Sequence, residues 1–291
     1  MNRALATILV PAFNEEAVIH RSLKPLAAAA KDGRFQVIVI ANGCTDHTIE
    51  AAIAACPDAE ILELPEGSKV GALNDGSKRR HGWVTVCLDA DVEITEEAIT
   101  RLIEPLLVDQ ADFACGRMIA DLKGSSQLVK AFYRGWMLNP YFDAGKPGGV
   151  YAMADWVTRE LFPMPRVVAD DEYIARRTEK YRKAYVSLAT FRVHAPKTLT
   201  ALLQIRRRSR RGTRALETSG LISSRPSNHA GALLALKRAW PQPWRLFDVA
   251  VYVSAMIWVR VSLFSSITRS ASTWERDETS RSPDGSNEVT S

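Results

Sequence analysis

The sequence predicts an α/β fold: a mostly parallel, Rossmann-like sheet flanked by helices, followed by a helical extension. Three observations predict it. Short apolar runs of β-type residues alternate with helical stretches through the first hundred residues. The runs are apolar throughout, as in strands buried on both faces, and the links between elements are short.

Ala6–Val10 is the first buried strand, ended by Pro11-Ala12-Phe13-Asn14. Glu15 to Ala30 has helical composition, with Asn14 placed as N-cap and glutamates in the first turn. After the Asp32-Gly33 turn comes a second strand, Phe35–Ile40. Asn42-Gly43 turns the chain, Thr45 or Asp46 caps a helix running to Ala55, and Ile61–Leu64 is a third strand. A helix over Ser68–Arg80 leads to the strand Val84–Leu88. Next are a helix at Thr95–Val108, a strand at Asp112–Ala120 and an aromatic helix at Ser125–Leu138. The Pro- and Gly-rich segment Asn139–Gly149 is a loop, ahead of a strand at Val150–Met153 and a helix from Asp155. Asp170-Asp171-Glu172 opens a helix through Tyr181, and Ala184–Ala189 and Phe191–Val193 are two β-like runs. A helix from Thr198 carries Arg206, Arg207, Arg208, Arg210, Arg211 and Arg214.

With 291 residues, 46% of them hydrophobic and 24% charged, the chain is an ordinary globular protein. Its net charge of +5 is uneven, because six arginines fall within nine positions. That cluster points to an anionic partner. Nucleic acid does not fit, since no aromatic residue interleaves the arginines from Leu202 to Leu216. Four scattered cysteines with no C-x-x-C spacing read as buried thiols in a reducing compartment, not as a disulfide framework or zinc site. The apolar start at Ala4–Val10 runs at once into Pro11, Asn14, Glu15 and Glu16, so it reads as a strand of a cytoplasmic protein and not as a signal peptide.

In parallel sheets, ligands bind beyond the carboxyl ends of the strands. Asn14, Asn42 and the pair Asp89/Asp91 all fall there. Two carboxylates one residue apart, just past an apolar strand, are hard oxygen ligands suited to Mg²⁺ or Mn²⁺. They can equally be a polar strand end with one aspartate at the next helix. Asp170-Asp171 can supply a general base, or can simply be acids at a helix N-terminus. Guanidinium groups of the arginine run can hold diphosphate oxygens, or can form a solvated basic face. Lys69 can set a cation beside a ligand, His194 can be a metal or phosphate ligand, and Gly148-Gly149 can let a substrate approach the backbone.

The order of these motifs resembles family 2 glycosyltransferases, which have the GT-A fold, over about Thr7 to Arg211. Val10-Pro11-Ala12-Phe13-Asn14-Glu15-Glu16 is similar to the family's first nucleotide loop, and Ile40–Asp46 to its second. Lys69-Val70-Gly71-Ala72-Leu73-Asn74 is similar to its K-x-x-A-L-N helix, and Asp89-Ala90-Asp91 to its metal-binding D-x-D. Gly149-Val150-Tyr151-Ala152-Met153 resembles the acceptor-side loop, Asp170-Asp171-Glu172-Tyr173-Ile174 the E-D-x-x-L segment, and Gln204–Arg208 the Q-x-x-R-W segment.

The resemblance implies an inverting transfer of a sugar from a nucleoside-diphosphate sugar to a hydroxyl of a glycan, lipid or small molecule. It implies nucleotide contacts from Pro11, Phe13, Asn14, Glu15, Asn42, Lys69, Asn74 and Asp89, and metal contacts from Asp91, Asp89 and His194. Asp171 becomes the base with Asp170 beside it, Arg206 and Arg207 face the diphosphate, and Gly149 and Tyr151 face the acceptor. Three positions depart from the pattern: Ala41-Asn42 replaces an aspartate pair, Asp170 a glutamate and Arg208 a tryptophan. Arg208, and the lack of several membrane spans, imply addition of a single sugar. A haloacid-dehalogenase-like phosphohydrolase with Asp89 as nucleophile, and a non-catalytic sugar-nucleotide-binding protein, are the alternatives.

The expected organisation is a catalytic GT-A domain over residues 1–215, a helical membrane-interfacial extension over 216–270 and a disordered tail over 271–291. Leu246–Ile267 is mostly apolar but is interrupted by Asp248 and Arg260. A mid-membrane charge costs about 2.5–3.5 kcal/mol, so a docked or in-plane helix is expected there, with peripheral attachment to the cytoplasmic membrane face.

Overall fold

The computed structural model describes residues 3–139, 142, 145, 147–224, 229–242 and 244–264. The predicted tail at 271–291 and residues 265–270 lie outside them. Eight strands form one sheet in the order β3-β2-β1-β4-β7-β6-β8-β5. They are β1 Ala6–Ala12, β2 Phe35–Asn42, β3 Glu60–Leu64, β4 Val84–Leu88, β5 Glu93–Ile94, β6 Phe113–Asp121, β7 Val150–Ala154 and β8 Lys183–His194. β3, β2, β1 and β4 are parallel, and β6 pairs with β8 in parallel. β7 runs antiparallel between β4 and β6, and β5 is antiparallel to β8. This is the GT-A arrangement expected from the sequence.

The helices are α1 His20–Leu23, α2 Ala27–Lys31, α3 Thr48–Ala55, α4 Lys69–Ser77, α5 Glu96–Leu107, α6 Gln127–Trp136, α7 Asp155–Leu161, α8 Asp170–Arg177, α9 Leu199–Thr218, α10 His229–Ala239 and α11 Trp244–Phe264. Alternating side chains of the strands feed two cores, one on each face of the sheet. Ile8, Val10, Val86 and Leu88 pack with Leu23 of α1, Ala29 of α2 and Ile99, Leu102 and Ile103 of α5. Leu9, Ile38, Ile40 and Cys87 pack with Leu73 of α4, Val157 of α7, Ile174 of α8 and Leu216 of α9. The boundary expected after residue 215 therefore falls inside α9.

The sequence misplaces four features. The single helix expected over Glu15–Ala30 is broken into α1, a 3₁₀ turn at Lys24–Leu26 and α2, because Pro25 has no N–H to continue the ladder. Asn14 is no N-cap; it takes a left-handed φ of 52°. The helix from Asp170 ends at Arg177, and the two β-like runs beyond it are one strand. Its register against β6 jumps between Gly116 and Arg117, and a Cβ on Gly116 would lie 2.4 Å from the Ala189 carbonyl oxygen.

A third cluster joins α6, α9 and α11 through Phe132, Tyr133, Leu202 and Ala255. Arg134 of α6 grips Asp248 of α11 with two hydrogen bonds of 2.8 and 2.7 Å. The mid-helix acid is thus neutralised by the protein itself. Gly135 allows the approach: a Cβ there would lie 2.3 Å from the Asp248 carbonyl oxygen. Alanine normally gains up to about 1 kcal/mol over glycine inside a helix, whereas overpacking costs about 1–3 kcal/mol. Gly135→Ala is therefore expected to lower stability by about 1–2 kcal/mol in urea unfolding. A gain would mean that α11 does not pack on α6.

Candidate active site

Three loops meet at the carboxyl ends of β1, β2 and β3. Asn14 Oδ1 accepts from the Thr45 N–H at 2.7 Å, and the Glu15 N–H donates to Thr48 Oγ1 at 2.7 Å. Glu16 accepts from the His47 N–H at 2.8 Å. Asp46 Oδ1 accepts from the Thr48 N–H at the start of α3, but the N-cap is His47 and not the Thr45 or Asp46 expected. Gly43 has φ of 68°, and a Cβ there would come within 2.7 Å of the Gly67 N. The ring of Phe13 lies against Gly67. Pro11 is buried within β1, opposite Ile40.

Asn42 is fully buried and knits these loops together. Its amide donates to the carbonyls of Ala12 at 2.7 Å and Ile40 at 3.2 Å, and its oxygen accepts from the Ser68 N–H at 2.9 Å. Both of its N–H groups are committed to backbone, so Asn42 shapes the loops and does not offer an amide edge to a base. Asn74 is likewise committed. Its Nδ2 donates to the Met164 carbonyl at 2.9 Å, and its Oδ1 accepts from the Met164 N–H at 2.7 Å. It anchors the segment that leads to Asp170. Neither role was legible, because the partners are distant in sequence.

Ser68 caps α4 by accepting from the Gly71 N–H, which starts the helix at Lys69. The largely buried Lys69 ammonium lies 2.8 Å from Asp89 Oδ1 and 2.8 Å from Asp170 Oδ2. One cation therefore brings together the strand-end carboxylates and the second acid pair, which are 81 residues apart in the chain. Burial opposes the Lys69 charge, but Asp170, Asp89 and Asp171 outweigh it and hold its pKa well above the ordinary value. The Asp89 carboxyl is pushed up by burial, relieved by Lys69 and raised again by Asp91 and Asp170.

The acid-bearing turn has a fixed position. The Asp89 N–H donates to the Gly149 carbonyl at 2.8 Å, and the Val92 N–H to the Asp89 carbonyl at 3.2 Å. Gly149 has φ of 84°, and a Cβ there would lie 2.8 Å from Val92. Tyr151 is buried and stacks on Phe113 at 5.8 Å. Burial pushes the Cys87 thiol up to about 12, so it stays neutral. The four cysteines are free thiols, and three of them are buried.

His194 Nε2 lies 2.7 Å from Glu93 Oε1, and its Nδ1 lies 3.5 Å from Asp121 Oδ2. The ring is held between two carboxylates. Among the described residues, no three His, Cys, Asp or Glu side chains converge as a complete metal cage. Asp89 and Asp91 nevertheless form a hard-oxygen pair whose mutual repulsion a divalent cation would relieve. That donor set fits Mg²⁺ or Mn²⁺ sharing its remaining positions with substrate oxygens and water.

Arg206 lies over the ring of Trp136 at 3.9 Å, and Arg207 faces Trp258 at 5.8 Å. Gly212 lets α9 close on the approach to the acid pair, since a Cβ there would lie 2.8 Å from the Ala169 Cβ. Beside Gly149 opens a cleft of about 600 Å³, lined among others by Arg117, Met118, Trp136, Pro147, Gly148 and Tyr185. Trp136 gave no signal in the sequence beyond an aromatic helix.

The fold is the GT-A fold of glycosyltransferases. Residues 7–151 match the family model described as glycosyl transferase family 2, and through this half the chain belongs to that family. The undecaprenyl-phosphate 4-deoxy-4-formamido-L-arabinose transferase of Pseudomonas paraeruginosa (strain DSM 24068 / PA7) is 28% identical over 107 residues, 34% of this chain and 32% of that protein. The poly-beta-1,6-N-acetyl-D-glucosamine synthase of Staphylococcus aureus (strain COL) is 32% identical over 101 residues, 34% of this chain and 24% of that protein. The matches span between about a third and a half of the length of the first curated relatives.

Among solved structures, a mannosyltransferase from Pyrobaculum calidifontis, in complex with GDP-Man and Mn²⁺, aligns with TM-score 0.58 and 19% identity. The alignment covers 91% of this chain and 80% of that one. Glucosyl-3-phosphoglycerate synthase from Mycobacterium tuberculosis, in complex with Mn²⁺, UDP-glucose and phosphoglyceric acid, aligns with TM-score 0.56 and 21% identity. That alignment covers 77% of this chain and 82% of the other. At such identities the likeness shows the fold alone. Family membership leaves the phosphohydrolase alternative without support.

The buried triad gives a pH test. Lys69→Met is expected to cost about 3 kcal/mol of stability at neutral pH, as for a broken buried pair. Asp89 already has a raised pKa, and without Lys69 it rises further. Protonating such a group favours the folded state, so the deficit shrinks as pH falls through the raised pKa. Urea unfolding of both proteins across acid to neutral pH checks this; a deficit that is constant with pH refutes it.

Proposed function

We propose that the protein is an inverting, metal-dependent glycosyltransferase that moves a single sugar from a nucleoside-diphosphate sugar to an acceptor hydroxyl. The observation that carries this reading is Lys69, which holds Asp89 and Asp170 in one site. The loops around Phe13, Asn14 and Glu15 receive the nucleotide, with Asn42 and Asn74 fixing their supports. Asp91 and Asp89 would hold the Mg²⁺ or Mn²⁺ ion. When bound, that ion supplies positive charge to the donor's diphosphate. His194 is left out of the ligand set because both ring nitrogens face carboxylates.

Asp171 takes the proton of the acceptor hydroxyl. The freed oxygen electron pair forms the bond to the anomeric carbon, from the side opposite the diphosphate. The carbon–oxygen bond to the diphosphate breaks, its electron pair leaves with the phosphate oxygen, and configuration inverts. Asp170 and Lys69 set the charge around Asp171. Arg206 and Arg207 add positive charge for the leaving diphosphate. The cleft beside Gly149 receives the acceptor, a glycan, lipid or small molecule, and Tyr151 is the buried group next to the acids. The setting is the cytoplasmic side of a membrane, with the protein attached peripherally.

A thermal-shift screen of nucleoside diphosphates and their sugars, with and without Mn²⁺, identifies the donor. Asp91→Asn is expected to remove the Mn²⁺-dependent part of the shift. Asp171→Asn is expected to lower the transfer rate by at least about 10³-fold while nucleotide affinity stays within a few-fold. Full transfer by Asp171→Asn would sink the assignment of the base.

A further inference from the structure

We propose that the outward face of α10 and α11 is a docking surface for an anionic membrane interface, on which the two helices lie flat. α11 is apolar on two sides. One side is buried: Val249, Ala255 and Val259 pack inward, Tyr252 meets Phe132 edge-on at 5.5 Å, and Asp248 meets Arg134. The other side carries Trp244, Phe247, Ile257, Trp258 and Val261, all exposed, at spacings that place them on one stripe. Ser254 is the one polar residue in that stripe among positions 244, 247, 250, 254, 257, 258 and 261. α10 adds exposed Leu234 and Leu236, and just beyond its end stands Trp240, 73% accessible. Exposed large apolar side chains gathered in such number on two packed helices are a feature of interaction surfaces.

Charge identifies the occupant. α9, α10 and α11 together contain ten Arg and Lys residues and two acids, Glu217 and Asp248. Asp248 is already taken by Arg134. The whole chain nets +5, so the rest of it is net acidic and the basic excess is gathered at this end. A second copy meeting the same face about a two-fold axis would set like charges against each other. An anionic lipid surface is attracted to it, and tryptophan beside arginine is the composition that settles at the headgroup level.

Trp244–Leu263 is long and apolar enough to cross a bilayer, but it is docked along its length on α6 and α9. Spanning would either draw those helices into lipid or strip Asp248 of Arg134, so the helix lies in the plane. α6 also carries Trp136, which walls the cleft. A membrane-borne acceptor would therefore arrive about one helix diameter, some 10 Å, from it. That last consequence rests on the sugar-transfer reading; the docking surface does not.

The test is flotation of the full chain with vesicles of phosphatidylcholine alone or mixed with phosphatidylglycerol. The chain is expected to float with the mixed vesicles, to float much less with phosphatidylcholine, and to be released by salt and by alkaline carbonate. Double substitution Phe247→Glu and Val261→Glu is expected to lower partitioning at least about tenfold with nucleotide affinity unchanged. Quenching of tryptophan fluorescence by brominated lipid needs no substitution and is expected for the unaltered chain. No flotation and no quenching overturns the proposal. So does retention through carbonate, which indicates a span, or a concentration-dependent dimer that the double variant abolishes. Vesicle binding without any sugar-nucleotide binding would keep this surface and remove the assigned reaction.

Discussion

Everything at the strand ends depends on neutralising four aspartates in a small volume. Asp89 and Asp91 sit on the turn after β4, and Asp170 and Asp171 at the start of α8. Brought together without a counter-charge, they would repel each other and raise one another's pKa values. Lys69 answers both pairs at once, with 2.8 Å contacts to Asp89 and Asp170. The lysine is therefore more than a nucleotide-side cation. It lets one half of the site fold against the other before any ligand arrives.

The positions of the acids are set by backbone as much as by charge. The Asp89 N–H is tied to Gly149, and Met164 is clamped by Asn74. Gly212 lets α9 press on Ala169, next to the acid pair. A binding or catalytic group needs such supports, because small misplacements cost large factors in rate. Arg206 is supported in the same manner, its guanidinium lying over the Trp136 ring at 3.9 Å.

What could be read from sequence is what is local. Val84–Leu88 is a strand with the bounds expected, and the acids follow it, because an unbroken apolar run ending in carboxylates has few other solutions. The parallel half of the sheet was legible for the same reason. The break at Pro25 was legible in principle, since a proline mid-helix removes a donor. The reversed direction of β7 and the short β5 were not legible, because pairing partners are set by tertiary contacts. Asn42 and Asn74 sit in the expected motifs, yet their amides reach backbone of Ala12, Ser68 and Met164, which lies 26 to 90 residues away. His194 was picked out by residue type alone, and only its neighbours Glu93 and Asp121 show what its ring nitrogens face.

The inverted strand β7 divides the sheet into two provinces. On one side, β1 to β4 and their loops form a cradle whose pieces lock each other in place, so change there is constrained by many bonds at once. On the other side lie β6, β8 and the cleft bordered by Met137, Phe142, Pro147 and Gly148. The family match ends at residue 151, within β7. Such a seam lets side chains beyond β7 vary without disturbing the bonds that lock the cradle. Substitutions beyond the seam can reshape the cleft, while the Asp89 N–H to Gly149 bond keeps the turn after β4 in register with the start of β7.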